Sequence, residues 1–174
     1  QIAKELCNNC FNVISGLAKG VDTSAHMGSL EISGKGITTA VIPNTIEISP
    51  VSNRDLADQI IHNNGVIISE NAPNVPFNSK QFIQRNRIIS ALTCDYLIVP
   101  HCKINSGTLS TIKYAIKLNK KILIPKGHTS TEITYNAIIQ VTKNFQLVTL
   151  DEIIEIIKKQ SSHNADQKQK DLFK

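Results

Sequence analysis

The sequence predicts an α/β fold of the Rossmann-like kind, a doubly wound and mostly parallel sheet in three α/β/α layers. Short continuous apolar runs such as residues 96–99 (YLIV) and 122–124 (ILI) are typical of strands that are buried on both faces. Helical segments separate these runs along the chain. This alternation implies right-handed crossovers, which place helices on both faces of a parallel sheet.

The predicted elements follow one another regularly. Helices are expected at residues 1–10, 22–33, 53–64, 81–92, 107–119 and 150–160, and strands at residues 11–15, 37–42, 66–69, 95–99, 121–124 and 145–148. A doubly wound sheet normally opens with a strand that lies in its centre, whereas this chain opens with a helix. We therefore expect a Rossmann-like domain over residues 1–160 that is incomplete at its N-terminus, lacking its first strand. Residues 161–174 are polar and aperiodic, which predicts a tail or linker.

The net charge of +5 is distributed unevenly along the chain. Residues 80–126 carry nine basic side chains and a single acidic one, whereas residues 1–79 and 127–157 each have a net charge of −3. Such a basic block is typical of a surface that binds a polyanion. An alternative for its four lysines between residues 113 and 121 is that they only solvate the outer face and the end of a helix.

Several other classes of protein are disfavoured. No apolar run has the length of about 18–20 residues that a membrane span requires, so no membrane association is expected. The four cysteines lack the spacing of a zinc site, and we interpret them as buried or idle thiols in a reducing cytosol. The phosphate-binding patterns GxxxxGKS/T and GxGxxG are absent. No catalytic residue, metal or cofactor is predicted.

The segment SGLAKGVDTSAH, residues 15–26, leaves the first predicted strand. Ligands of parallel α/β sheets bind where loops leave the carboxyl ends of the strands. The candidate residues are Gly16, Lys19 and Gly20, because glycines permit close approach and a lysine beside a helix N-terminus attracts anions. Asp22 would repel phosphate, and we expect it to cap the following helix or to orient Lys19.

Two further segments reach the same edge of the predicted sheet. Ser106, Gly107 and Thr108 open a helix directly after a strand, and they either donate to a phosphate or form an ordinary capped turn. Arg85, Asn86 and Arg87 lie on another helix. Its apolar arc surrounds Arg85, which predicts either that the helix begins after Arg85 or that one arginine points inward. Such an arginine pairs with a carboxylate, Glu70 or Asp95, or with a ligand phosphate.

Together these motifs resemble the DNA processing protein A (DprA/Smf) family. Residues 15–30 (SGLAKGVDTSAHMGSL), 69–73 (SENAP), 85–93 (RNRIISALT) and 105–120 (NSGTLSTIKYAIKLNK) resemble that family's segments in order and spacing. The chain departs from the pattern at residues 42–46 (IPNTI), where the family usually has a glycine-rich turn, and at residues 77–82 (FNSKQF), which lack the usual G-x-F-P. The resemblance covers nearly all of residues 1–150.

The resemblance implies a cytoplasmic, non-enzymatic protein that binds single-stranded DNA, dimerises and helps to load the RecA recombinase during natural transformation. It places the phosphate pocket at Ser15, Gly16, Lys19 and Gly20, lined by the basic segment 85–87 and by residues 106–108. With aromatic residues at 5% of the chain, base stacking would fall to Phe77, Phe82 or Tyr135.

Two other functions remain open at this point. Residues 106–109 (SGTL) resemble part of the PGG-x-GT-x-x-E motif of lysine decarboxylase-like phosphoribohydrolases, which have a similar fold. The leading glycines and the glutamate of that motif are missing here. A nucleotide-sensing module that binds a small phosphorylated signal is the third reading.

Overall fold

A computed structural model describes residues 1–32, 36–76, 78–127 and 129–172, with residues 163–172 described by their backbone only. Phe77, one of the aromatic candidates, lies outside the described residues. The helices are α1 Ile2–Asn8, α2 Val21–Leu30, α3 Arg54–His62, α4 Lys80–Leu92, α5 Thr108–Lys117, α6 Thr131–Ile138 and α7 Leu150–Leu172. The strands are β1 Val13–Ser15, β2 Thr38–Val41, β3 Val66–Ile68, β4 Tyr96–Ile98, β5 Lys121–Pro125 and β6 Phe145–Val148.

The six strands form two parallel three-stranded sheets, in the orders β1-β2-β3 and β4-β5-β6. The predicted α/β class with parallel strands is confirmed. Among the described residues, no strand of the first sheet pairs with a strand of the second. The edge strands β1 and β4 are only partly buried, whereas most residues of the central strands β2 and β5 are buried.

Helices cover both faces of the two sheets. On one face, α2 and α3 pack on the first sheet and α7 packs on the second, with α1 between α2 and α7. On the other face, α4 contacts β1 and β2 and packs along α5, while α5 and α6 cover the second sheet. Alternate residues of β5 point to opposite faces, with Ile122 and Ile124 in one core cluster and Leu123 in another.

The structure differs from the prediction at two helices. Helix α6 was not expected, because its sequence TEITYNAI is rich in residues of low helix propensity; it forms because Thr134, Ala137 and Ile138 bury one side of it. The last helix continues to Leu172 instead of ending at residue 160. No glycine or proline interrupts residues 150–172, so nothing in the sequence breaks the helical hydrogen bonds.

Candidate nucleic-acid interface

The loop between β1 and α2 is organised by Asp22. The Asp22 carboxylate Oδ2 accepts hydrogen bonds from the backbone N–H groups of Gly16 (3.1 Å) and Ala18 (3.2 Å). The cap position of α2 is taken by Gly20, whose φ of +89° favours glycine. Asp22 therefore lies in the first turn of α2 and is not its N-cap. Two of the N–H groups that could have served an anion are occupied by this carboxylate.

Lys19 is exposed at the tip of this loop. Ser15 ends β1 opposite Ala40 of β2. Below the tip, Leu17 is fully buried in the core of the first sheet with a φ of +59°. Burial of Leu17 on one side and exposure of Lys19 on the other give the loop a fixed orientation.

Arg85 is buried, as the helical projection allows, with 4% of its surface exposed. Its guanidinium Nη1 donates to the backbone carbonyl oxygens of Gly16 (2.5 Å) and Val41. These carbonyls lie at the carboxyl ends of β1 and β2. Burial lowers the pKa of the Arg85 guanidinium, and the nearby Asp22 carboxylate opposes that shift. Arg85 thus bonds to the backbone at the ends of two strands, where the sequence suggested Glu70, Asp95 or a phosphate.

Gly16 provides the space that Arg85 occupies. A Cβ atom at residue 16 would lie 2.4 Å from Nη1 and 2.6 Å from Cζ of Arg85. We expect Gly16→Ala to lower the free energy of unfolding by about 2 kcal/mol, because the buried guanidinium must move. Denaturation in urea measures this change.

Gly28→Ala is the matched control for that substitution. Gly28 lies inside α2, and its Cβ would meet the Cβ of Ala3 in α1 at 3.6 Å, an ordinary contact, so the substitution should be neutral or stabilise by up to about 1 kcal/mol. Equal destabilisation by both variants would contradict the role assigned to Gly16.

Asn86 and residues 106–108 lie together at the start of α5. The Asn86 side-chain amide donates to the carbonyl oxygen of Gly107 (3.3 Å) and to Oγ of Ser110 (2.8 Å). Gly107 is the cap position of α5 and Thr108 is its first residue. The Ser106 hydroxyl lies 3.4 Å from Sγ of the buried Cys102. Asn86 therefore links α4 to the N-terminus of α5.

Arg87 is exposed and forms an ion pair with Glu70, which follows β3. The two arginines of the predicted pocket therefore have different environments, since Arg85 is buried against backbone carbonyls. Of the two, Arg87 is the one whose guanidinium a ligand in solution can reach.

Two buried asparagines, which the sequence did not single out, connect the loops of this edge. Asn53 donates to the carbonyl oxygen of Leu17 and to the hydroxyl of Thr23, each at 2.9 Å. Asn44 accepts from the N–H group of Ile46 (2.8 Å) and donates to the carbonyl oxygen of Val75 (3.1 Å). The available signal in the sequence was a polar residue in a connecting segment. The partners could not be predicted from it, because Val75 lies 31 residues from Asn44 and Leu17 lies 36 residues from Asn53.

His26 is fully buried beneath this edge. Its Nδ1 lies 2.7 Å from Oγ1 of Thr38, and that hydroxyl donates to the carbonyl oxygen of Val13. Since the single hydroxyl proton goes to Val13, Nδ1 carries the imidazole proton. His26 Nε2 is buried without a hydrogen-bond partner. Burial lowers the pKa of His26 to about 4, against the opposing effect of Asp22.

The topology divides the basic block between opposite edges of the sheets. At the carboxyl edge, basic residues are exposed on the connections that follow β1, β3, β4 and β5, and Arg87 in the middle of α4 reaches Glu70 after β3. We call these five residues, Lys19, Lys80, Arg87, Lys103 and Lys126, the basic edge; Arg54 at the start of α3 is a further exposed basic residue and is followed directly by Asp55. Lys117 and Lys121 lie at the amino edge, where Lys121 Nζ is 5.6 Å from the centre of the Tyr96 ring. Four of the nine basic side chains of residues 80–126 are therefore exposed at the carboxyl edge.

The described residues offer no other site of comparable chemistry. Within them, no three His, Cys, Asp or Glu side chains are grouped as metal ligands. All four cysteines are free, and burial raises the pKa of the Cys7 and Cys102 thiols. None of the helices in the described ranges is long and apolar enough to cross a membrane.

Parallel strands between two helical layers, with exposed cationic side chains at their carboxyl ends, define a Rossmann-like α/β domain with a basic edge. The family model of the DNA recombination-mediator protein A matches residues 1–158. The chain belongs to this family, which confirms the resemblance to DprA and Smf proteins.

Individual relatives agree with this assignment. The chain is 38% identical over 116 residues to the DNA processing protein DprA of Streptococcus pneumoniae, covering 66% of this chain and 40% of that protein. It is 33% identical over 123 residues to protein Smf of Escherichia coli, covering 70% and 32%, respectively. The chain thus spans less than half the length of these relatives.

Two solved structures share the fold. The crystal structure of S. pneumoniae DprA superimposes with a TM-score of 0.72 at 30% identity, covering 88% of this chain and 53% of that one. A structure of Helicobacter pylori DprA, described for its single-stranded DNA binding mode, gives a TM-score of 0.78 at 27% identity, covering 91% and 71%.

Proposed function

We propose that this chain binds single-stranded DNA through the basic edge and serves in DNA uptake and recombination. The observation that carries this proposal is the set of five exposed basic side chains at the edge where α/β sheets bind their ligands. A positively charged surface that follows the phosphate backbone is what sequence-tolerant strand binding requires. Family membership and the strand-binding H. pylori relative support the same ligand.

The pocket that we propose combines residues with two kinds of role. Lys19 and Arg87 are exposed and contact the phosphates, with the cap of α5 (Ser106, Gly107 and Thr108) beside them. Gly16 and Arg85 shape the pocket from below, since their contacts are with each other and with the strand ends. Ser15, Gly20 and Asn86 hold the loop and helix starts in place.

Fluorescence anisotropy with a labelled oligothymidylate at increasing salt concentrations tests DNA binding. If all five residues of the basic edge contact phosphates, the logarithm of the affinity should fall with that of the salt concentration with a slope of about −3.5. Lys19→Ala should weaken binding and reduce the steepness of that slope by about 0.7.

Lys113→Ala is the matched control, because Lys113 is exposed on the outer side of α5. It should leave the affinity and the slope unchanged. A Lys19→Ala variant with the affinity and salt slope of the unmodified protein would refute the assignment of the basic edge.

We also propose that the domain acts by binding and not by turning over a nucleotide. Two carboxylates that contact residues of the proposed pocket have structural partners, since Asp22 holds the β1–α2 loop and Glu70 pairs with Arg87. A phosphoribohydrolase or a nucleotide sensor would bind AMP or a related nucleotide. Release of adenine from AMP would favour the enzyme, and AMP binding that competes with DNA would favour the sensor.

The family resemblance extends the proposal to partners and location. We propose that the protein forms a homodimer, works in the cytoplasm and helps to load RecA on single-stranded DNA during transformation. Light scattering at several protein concentrations measures the oligomeric state. The rate at which RecA assembles on DNA, with and without this protein, measures loading.

A further inference from the structure

Three aliphatic side chains are exposed on the loops of the carboxyl edge. Ile46 and Val51 are each 67% exposed and Val75 is 37% exposed. Ile46 and Val51 lie on the connection from β2 to α3, and Val75 lies on the connection from β3 to α4. We call these three residues the apolar rim. Apolar groups that are exposed together and bordered by polar residues mark interaction sites, and the backbones of Ile46 and Val75 are both hydrogen-bonded to Asn44.

The loops that carry the apolar rim are held by buried side chains. Asn44, 3% exposed, bonds to the N–H group of Ile46 and to the carbonyl oxygen of Val75, and so joins the two connections. The Asn44 oxygen also accepts from the N–H group of Glu47. Ile46 and Val75 are therefore exposed on a backbone whose conformation is fixed by internal hydrogen bonds.

The apolar rim continues into the loop that carries Lys19. Val51 lies two residues before Asn53, whose side chain bonds to the carbonyl oxygen of Leu17. Leu17 in turn precedes Lys19 by two residues. The hydrogen bonds of Asn53 thus join the cationic loop to the connection from β2 to α3, and those of Asn44 join that connection to Val75.

Single-stranded DNA offers the matching chemistry, charged phosphates on one side and exposed apolar base faces on the other. The aromatic candidates that the structure describes have other contacts. Phe82 lies against the Arg85 guanidinium at 5.8 Å, and Tyr135 packs edge-on against Phe145 at 5.5 Å.

We propose that the apolar rim contacts the nucleobases of the strand whose phosphates lie on the basic edge. This inference rests on the proposed DNA binding and names the part of the ligand that a second surface recognises. Aliphatic side chains contact base faces without reading hydrogen-bonding edges, so the contact is independent of sequence.

Two oligonucleotides of equal length and charge test this inference. One is oligothymidylate, and in the other tetrahydrofuran abasic residues replace all the nucleotides. The unmodified protein should bind the thymidylate about tenfold more tightly. In the double variant Ile46→Ser, Val51→Ser this preference should fall to about threefold or less, while the salt slope stays the same because the phosphate contacts remain.

The double variant Ile61→Ser, Leu118→Ser is the matched control. Both residues are about half exposed, at 53% and 46%, at the ends of α3 and α5 on the amino edge. This control should keep the full preference for thymidylate. All four substitutions are at exposed positions, where changes have small effects on stability.

The outcomes separate this inference from the proposed function. If the unmodified protein binds neither oligonucleotide, DNA binding itself is refuted. If it binds both equally, or if the rim variant keeps the full preference, DNA binding stands and the role of the apolar rim is refuted. A rim variant that changes the oligomeric mass in light scattering and keeps its base preference would identify a self-association surface instead.

Discussion

Replacing Arg85 with methionine should lower the free energy of unfolding by about 3 kcal/mol. The guanidinium bonds to the carbonyl oxygens of Gly16 and Val41, and both acceptors lie where water is excluded around a side chain that is 4% exposed. Methionine retains much of the apolar volume, so the loss reports mainly on the hydrogen bonds. Urea denaturation monitored by circular dichroism measures it.

Arg87→Met is the matched control, two residues further along the same helix. Its guanidinium pairs with Glu70 at the surface, with side-chain exposures of 52% and 35%. Exposed ion pairs contribute about 0–1 kcal/mol, so this variant should remain nearly as stable as the unmodified protein. The same variant should bind DNA more weakly than the unmodified protein, because Arg87 is part of the basic edge. Equal stability losses in the two variants would contradict the distinction between the two arginines.

Lowering the pH from about 6.5 to about 4 should cost the fold about 3 kcal/mol through His26 alone. The pKa of His26 is lowered from 6.5 to about 4 in the folded protein. Between these two values the unfolded chain binds a proton that the folded chain does not, so acid favours unfolding. Below about pH 4 both states are protonated at this residue, and its contribution to the slope ends.

The stability of His26→Gln should therefore depend less on pH over this interval. His62→Gln is the control, because His62 is exposed on α3, and this variant should keep the dependence of the unmodified protein. Nuclear magnetic resonance of the unmodified protein provides a test without any substitution. A His26 imidazole that becomes protonated near pH 6.5 in the folded protein would contradict the prediction.

The sequence predicted most of the fold because strand and helix patterns are local. The apolar runs at residues 96–99 and 122–124 contain β4 and part of β5. The helices expected at residues 22–33, 53–64, 81–92 and 107–119 correspond to α2 to α5. Helix α6 could not be predicted in this way, since its sequence has low helix propensity and its stability comes from burial against β5 and its neighbours. The division of the strands into two sheets could not be predicted either, because it depends on which strands pair in the folded protein.

The candidate site was predictable only in its location. Strand–helix topology alone brings Lys19 and residues 106–108 to the same edge of the molecule. The partners of Arg85 were not predictable, because the helical projection indicates burial and gives no information on which acceptors lie within reach. The role of Asp22 depends on its carboxylate reaching back to Gly16 and Ala18, a contact set by the path of the loop.

The division of the strands into two sheets has a mechanical consequence for the proposed ligand. Within the part of the chain that the structure describes, no strand of one sheet pairs with a strand of the other, and contacts between helices such as α4 with α5 and α1 with α7 connect the two sheets. Lys19 follows a strand of the first sheet, whereas Lys103 and Lys126 follow strands of the second. A DNA strand bound to all three would connect the two sheets, and the bound domain would unfold at a higher temperature than the free one.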